Sequence, residues 1–226
     1  LERKYNELHH ESLRPNIICY NTCLSSFSRA SKEAEALRAE ALLHRMTHEA
    51  GLSPDSFSMT NVISAWSNSN NPDRAENVLN TMQSLYEGGN VSMKPTTVSF
   101  GAVLQGYARA GDVKRAEAIV EHMETLMHTD GFGEMRPNSV IFNILINTHA
   151  RSKAPGAADK VLSILDKMKK YRQEGHNEAS PNTITYNSVL TALASSRSDE
   201  FEKAKGLLQE MEEAKETLDG SIFPNN

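Results

Sequence analysis

A proline followed by a helix-starting residue recurs five times, each time ahead of a closely similar apolar phrase. The copies are PNIICYNTCL from Pro15, PDSFSMTNVI from Pro54, PTTVSFGAVL from Pro95, PNSVIFNILI from Pro137 and PNTITYNSVL from Pro181. A fixed period restricts this chain more than any bulk property, because every copy must fold to the same supersecondary unit. Cutting one residue after each proline gives units 17–55, 56–96, 97–138, 139–182 and 183–225, with 1–16 as the end of a preceding repeat.

Each unit opens on large side chains at i, i+3, i+4 and i+7, the spacing of one buried helix face. They are Tyr20, Cys23, Leu24, Phe27; Met59, Val62, Ile63, Trp66; Phe100, Val103, Leu104, Tyr107; Phe142, Leu145, Ile146, His149; and Tyr186, Val189, Leu190, Leu193. A second stripe follows in every unit and ends on methionine: Met46, Met82, Met123, Met168 and Met211. Glycines cluster after the second stripe, where a helix end calls for positive φ. The prolines then mark the next start, with Asp, Asn or Thr as the helix-start residue. No period-2 alternation competes. One hairpin cannot bury both of its stripes, so the units must stack. The expected fold is all-α, an α-solenoid of helix-turn-helix hairpins forming one continuous array.

Bulk properties narrow the class further. The 226 residues carry 38 % hydrophobic and 23 % charged residues, and no apolar run is long enough to cross a bilayer, so no membrane partner is expected. Only Cys19 and Cys23 are present, too few for a disulfide framework. A formal net charge of −5 argues against non-specific nucleic-acid binding. The opening LERKYNEL and the closing Pro224-Asn225 give the expectation of a piece cut from a longer protein.

The phrase P-[N/D]-x-[V/I]-x-[Y/F]-N, followed by an apolar helix and A-x-x-[L/V]-[L/V]-x-x-M, resembles the pentatricopeptide repeat family from Pro15 to Asn225. Tetratricopeptide units would carry Trp, Gly-Tyr and Ala-Phe marks that these lack. The units, of 39 to 44 residues, run longer than that family's usual repeat. Part of the excess lies in loops after the second helix, where insertions cost little entropy. In units one and four about one turn of sequence is added between the helices.

The first helix of each unit has a second face, roughly opposite the core stripe. It carries Ile18, Asn21, Ser25, Arg29; Phe57, Thr60, Ser64, Asn68; Val98, Gly101, Gln105, Arg109; Val140, Asn143, Asn147, Arg151; and Ile184, Asn187, Thr191, Ser195. Stacked units would align these into a polar furrow with apolar ribs, the chemistry that unstacked RNA bases and phosphates require. The resemblance implies a single-stranded RNA partner read at about one base per repeat. Base edges would be read by Asn21 with Asp55, Thr60 with Thr96, Gly101 with Asn138, Asn143 with Asn182, and Asn187 with Asn225. Ile18, Phe57, Val98, Val140 and Ile184 would wedge between bases, and Arg29, Arg109 and Arg151 would face phosphates. The implied readout is 5′-U-purine-A-C-C. Units two and three carry the least information, because Thr96 departs from the family pattern and Gly101 has no side chain. The resemblance further implies organellar RNA processing, stability or translation, in a mitochondrion or a chloroplast.

Plainer readings stand beside these. Asparagine at a helix start is more often a cap than a ligand contact. Cys19-x-x-x-Cys23 and His44-x-x-x-His48 have metal-pair spacing, yet Cys23 falls on the core stripe and the histidines on an outer face, so no metal is expected. His149 occupies a core slot, as a packing histidine. Trp66 and the methionines are on core phase. There is no phosphate-binding glycine loop, no deaminase signature and no Asp cluster, so neither a cofactor nor enzymatic activity is expected. The alternative to RNA reading is a protein-binding scaffold that leaves the furrow unused, which the net charge favours.

Overall fold

The computed structural model describes residues 14–152, 154–195 and 200–217, with side chains through Glu212; Asn225 and most of segment 1–16 lie outside them. Ten α-helices follow one another, with no strand among the described residues. They are α1 (Ile17–Ser28), α2 (Glu33–His48), α3 (Ser56–Asn68), α4 (Pro72–Glu87), α5 (Thr97–Ala110), α6 (Val113–Leu126), α7 (Ser139–Ser152), α8 (Ala157–Gln173), α9 (Thr183–Ala194) and α10 (Phe201–Thr217). Odd-numbered helices open the sequence units and even-numbered helices close them. No helix among the described residues is long and apolar enough to cross a membrane.

The chain forms two compact units, residues 1–106 and 107–226, with the division inside α5. In the first, α1 packs on α2 and on α3, and α3 also packs on α2 and α4. In the second, α7 packs on α6, α8 and α9, and α9 also packs on α8 and α10. Each unit therefore has odd helices side by side in one layer and even helices in the other. That is the α-solenoid hairpin stack expected from the two stripes.

Helix starts are made by the residue after each proline. Asn16 Oδ1 accepts from the N–H groups of Ile18 and Cys19, both at 3.1 Å. Asp55 and Asn182 form reciprocal caps with Ser58 and Thr185. Asn138 Oδ1 accepts from Ile141 N–H at 3.1 Å. Gly175 takes φ +91 just beyond α8, where a Cβ would be strained.

The core repeats the sequence stripes. Met46, Met82, Met123, Met168 and Met211 are all buried, as are Trp66, Phe100, Tyr107 and Phe142. Each such side chain contributes roughly 1.5–3 kcal/mol by leaving water. Two expectations need correction. Cys23, placed on the core stripe by spacing, is exposed, while Tyr20, Leu24 and Ser28 take the buried positions of α1. Cys23 corresponds in phase to Val62 of α3, which is buried; among the described residues no helix precedes α1 to cover the equivalent face. The extra residues expected between the helices of unit one are helical instead. They extend α2 at its start, where Ala36 joins Ala39 in the core.

Candidate nucleic-acid interface

The five rib positions share one property. Ile18, Phe57, Val98, Val140 and Ile184 are 57 to 70 % exposed, although each lies in the first turn of a packed helix. Five large apolar side chains standing in water at one helical phase contrast with the buried stripe two residues further along each helix. Beside them, two of the proposed reading pairs meet in space. Asn21 Nδ2 donates to Asp55 Oδ1 at 3.4 Å, across 34 residues. Asn143 Nδ2 donates to Asn182 Oδ1 at 3.4 Å, across 39 residues. In each pair the closing residue of a unit is also the cap of the following helix, and this double duty brings it next to the preceding odd helix.

A third residue joins each pair. The Asp55 backbone N–H donates to Ser58 Oγ at 3.3 Å, and the Ser58 hydroxyl lies 2.6 Å from Asn21 Oδ1 and 2.8 Å from Asp55 Oδ1. The Asn182 N–H donates to Thr185 Oγ1 at 3.1 Å, and the Thr185 hydroxyl lies 2.7 Å from Asn143 Oδ1 and 3.1 Å from Asn182 Oδ1. Ser58 N–H and Thr185 N–H complete the caps, at 2.8 Å to Asp55 Oδ1 and 3.0 Å to Asn182 Oδ1. Ser58 and Thr185 are fully buried. Neither residue is among the positions expected from the sequence. Their signal was a hydroxyl three positions after the Pro-Asx mark, a capping-box spacing.

The remaining positions behave differently. Asn143 is buried, not open on the face opposite the core, because α9 closes over it. Thr60 turns its hydroxyl onto the Ser56 carbonyl at 2.7 Å. The exposed Thr96 is engaged with Ser99, which donates its hydroxyl to the Thr96 carbonyl at 2.8 Å. Gly101 is half-buried and Asn187 exposed, and Asn225, the partner assigned to Asn187, lies outside the described residues. Arg29, at the end of α1, and Arg109 and Arg151, in the last turns of α5 and α7, are exposed.

Charge is distributed unevenly between the layers. Lys160 pairs with Glu117, Lys167 with Glu124, Lys203 with Asp159 and Arg74 with Glu40, each linking one even helix to another. Such surface pairs stabilise little, but they hold many of the carboxylates on the even-helix layer. His149 is buried on α7, with Nε2 3.2 Å from Glu117 Oε1. Burial lowers its pKa, against the opposing pull of Glu117. His44 and His48 stack at 4.0 Å on the exposed side of α2, and among the described residues no three potential ligands converge on a metal-sized site.

Comparison with known proteins agrees with this architecture. The model of the pentacotripeptide-repeat region of PRORP matches residues 3–129, and the PPR repeat model matches residues 184–215. A pentatricopeptide repeat-containing protein of Arabidopsis thaliana is 27 % identical over 79 % of this chain and 27 % of its own length. The mitochondrial 15S rRNA processing factor CCM1 of Yarrowia lipolytica is 26 % identical over 78 % of this chain and 21 % of its own. The crystal structure of the maize pentatricopeptide repeat protein PPR10 superposes with a TM-score of 0.58 at 27 % identity, covering 99 % of this chain and 27 % of that one. The chain thus spans about a quarter of the length of these proteins. With residues 3–129, more than half of the chain, inside a repeat model, the chain belongs to the pentatricopeptide repeat family.

Proposed function

We propose that this chain binds single-stranded RNA and reads individual bases at Asn21–Asp55 and Asn143–Asn182, without catalysing a reaction. The observation that carries the proposal is the pairing itself, set beside exposed apolar ribs. Ile18 and Phe57 stand on neighbouring helices α1 and α3, and Val140 and Ile184 on neighbouring helices α7 and α9. A base stacked between two such ribs would present its Watson–Crick edge to the polar pair.

The pairs differ in the one atom they leave for a ligand. Asp55 Oδ1 takes the bonds from Ser58 and Asn21, which leaves the other carboxylate oxygen, Oδ2, as the acceptor for a base. Uracil carries a donor at N3 and suits it; cytosine carries a bare acceptor there. Asn182 likewise spends Oδ1 on Thr185 and Asn143, which leaves Nδ2, a donor, for cytosine. Chemistry and family resemblance therefore agree on uracil at unit one and cytosine at unit four. Asn187 extends the cytosine reading to unit five by resemblance. Thr60 and Gly101 supply no comparable pair, so units two and three discriminate weakly.

Arg29, Arg109 and Arg151 supply the phosphate-facing charge. With a net charge of −5, binding is salt-sensitive and modest. A relative that processes mitochondrial rRNA supports a role in organellar RNA metabolism. Fluorescence anisotropy at low salt with U-A-A-C-C and U-A-A-U-U oligonucleotides tests the reading. A preference for C-C is expected, and Phe57→Ala with Ile184→Ala should weaken both RNAs by removing stacking worth about 1–3 kcal/mol per base. Absence of binding to either RNA by the folded chain would transfer the furrow to a protein ligand.

A further inference from the structure

We infer that Thr185 is a positioning residue that sets which atom the Asn143–Asn182 pair offers to a base, while Ser58 orients Asn21 by the same bonds; this rests on the base-reading function proposed above. An amide side chain has two ends of similar shape and opposite hydrogen-bonding sense. A pair built from Asn143 and Asn182 could in principle present either end, and cytosine and uracil would then be read equally well. The hydrogen bonds around Thr185 remove that ambiguity.

The backbone fixes the sense of these bonds, because its own polarity is invariant. The Asn182 N–H can only donate, so Thr185 Oγ1, at 3.1 Å, accepts from it. The hydroxyl proton is then directed onward to the nearer neighbour, 2.7 Å away on Asn143, and the atom there must be the carbonyl oxygen Oδ1. Asn143 is thereby turned so that Nδ2 faces Asn182, where Oδ1 accepts it. The Thr185 N–H, also an obligatory donor, holds that same Oδ1 inward. Asn182 Nδ2 takes no part in these bonds. Ser58 performs the same relay in unit one, from the Asp55 N–H to Asn21 Oδ1.

The other helix starts serve as internal controls. Ser99 receives the Thr96 N–H in the same way, at 2.9 Å, but returns its proton to the Thr96 carbonyl. At the corresponding point after Asn138 stands Ile141, which has no proton to relay. The relay is complete only where asparagine and a following hydroxyl occur together, at units one and four among the described residues.

The test compares wild type, Thr185→Val and Thr185→Ser for binding to RNAs that differ only in cytosine or uracil at the unit-four position. Valine keeps the shape and removes the relay. The cytosine preference should fall about three- to tenfold, towards parity, and serine should restore it, while the uracil preference at unit one stays unchanged. A Thr185→Val protein that loses affinity equally for both bases, or loses none, overturns the inference and leaves the hydroxyl as a helix cap. Two-dimensional NMR of the Asn143 side-chain amide gives an RNA-independent reading. Two sharp, separate proton signals are expected in wild type and Thr185→Ser, and exchange-broadened ones in Thr185→Val. Identical amide signals in all three proteins also refute the relay. If wild type binds no RNA, base reading fails, and the amide signals still decide whether the relay exists. Should Thr185→Val not fold, Thr185→Ala, which also removes the hydroxyl, carries the same comparison at unit four.

Discussion

Replacing Asp55 by asparagine changes one outward atom of the first reading pair and almost nothing else. Asn182 already shows how asparagine sits at such a position. It accepts from the third-residue N–H at 3.0 Å, where Asp55 accepts at 2.8 Å, and both receive the upstream asparagine at 3.4 Å. Asparagine and aspartate cap helices about equally well, so stability should stay within about 0.5 kcal/mol. Binding should change far more. Uracil at that position loses a hydrogen bond to an ionised acceptor, worth roughly 1.5–3 kcal/mol, or about 10- to 150-fold. Cytosine gains a neutral bond worth roughly 0.5–1.5 kcal/mol, or about 2- to 10-fold. The uracil-to-cytosine ratio at unit one should therefore invert in Asp55→Asn, measured by anisotropy on two RNAs differing at that base. An unchanged ratio in a protein that still binds RNA, with unaltered circular dichroism, refutes the assignment of the outward atom.

Two further outcomes concern stability. Trp66, the only tryptophan, is fully buried on α3 with the Arg74 guanidinium 4.5 Å from its ring; Trp66→Ala should cost about 3–5 kcal/mol in urea unfolding followed by circular dichroism, and a loss below 1 kcal/mol would contradict its burial. Burial lowers the folded-state pKa of His149, so below its ordinary value of about 6.5 the unfolded chain binds the proton more readily. Its contribution is present above that pH and is lost as pH falls towards the folded value. Unfolding free energy measured at pH 7.5 and 5.5 should therefore drop in wild type, and drop less in His149→Leu; equal drops would remove the role assigned to His149.

The hairpins were legible because their evidence is repeated. Any one stripe, such as Ala116, Ile119, Val120 and Met123, could be chance, but the matching stripes in sister units remove that reading, and all four residues are buried. Exposure was harder to read where it depends on a neighbour. Cys23 has the core phase of Val62 and none of its burial, because spacing records which face a residue occupies and not whether a helix covers that face. Phase alone picks out the five exposed apolar positions, whereas the reading pairs are proposed from resemblance. The hydroxyls of Ser58 and Thr185 were missed because serine and threonine at a helix start are ordinary, and only the fold shows that Asn21 and Asn143 lie within their reach. Asn143 was expected in the open and is buried for the same reason: α9, supplied by the next unit, closes over it.

The residue that closes each unit also starts the next helix, which limits how such an array can change in evolution or by design. Under the proposed reading, a substitution at Asp55 or Asn182 would alter the letter recognised and the stability of the following hairpin together. Large or purely apolar side chains are excluded there before any RNA is considered, since they cannot satisfy the first turn. The usable vocabulary shrinks to a few short polar residues, and these differ chiefly in whether the outward group gives or takes a proton. Under that reading, recoding the array becomes a choice among helix caps, in which each new letter must also start the helix of the next unit.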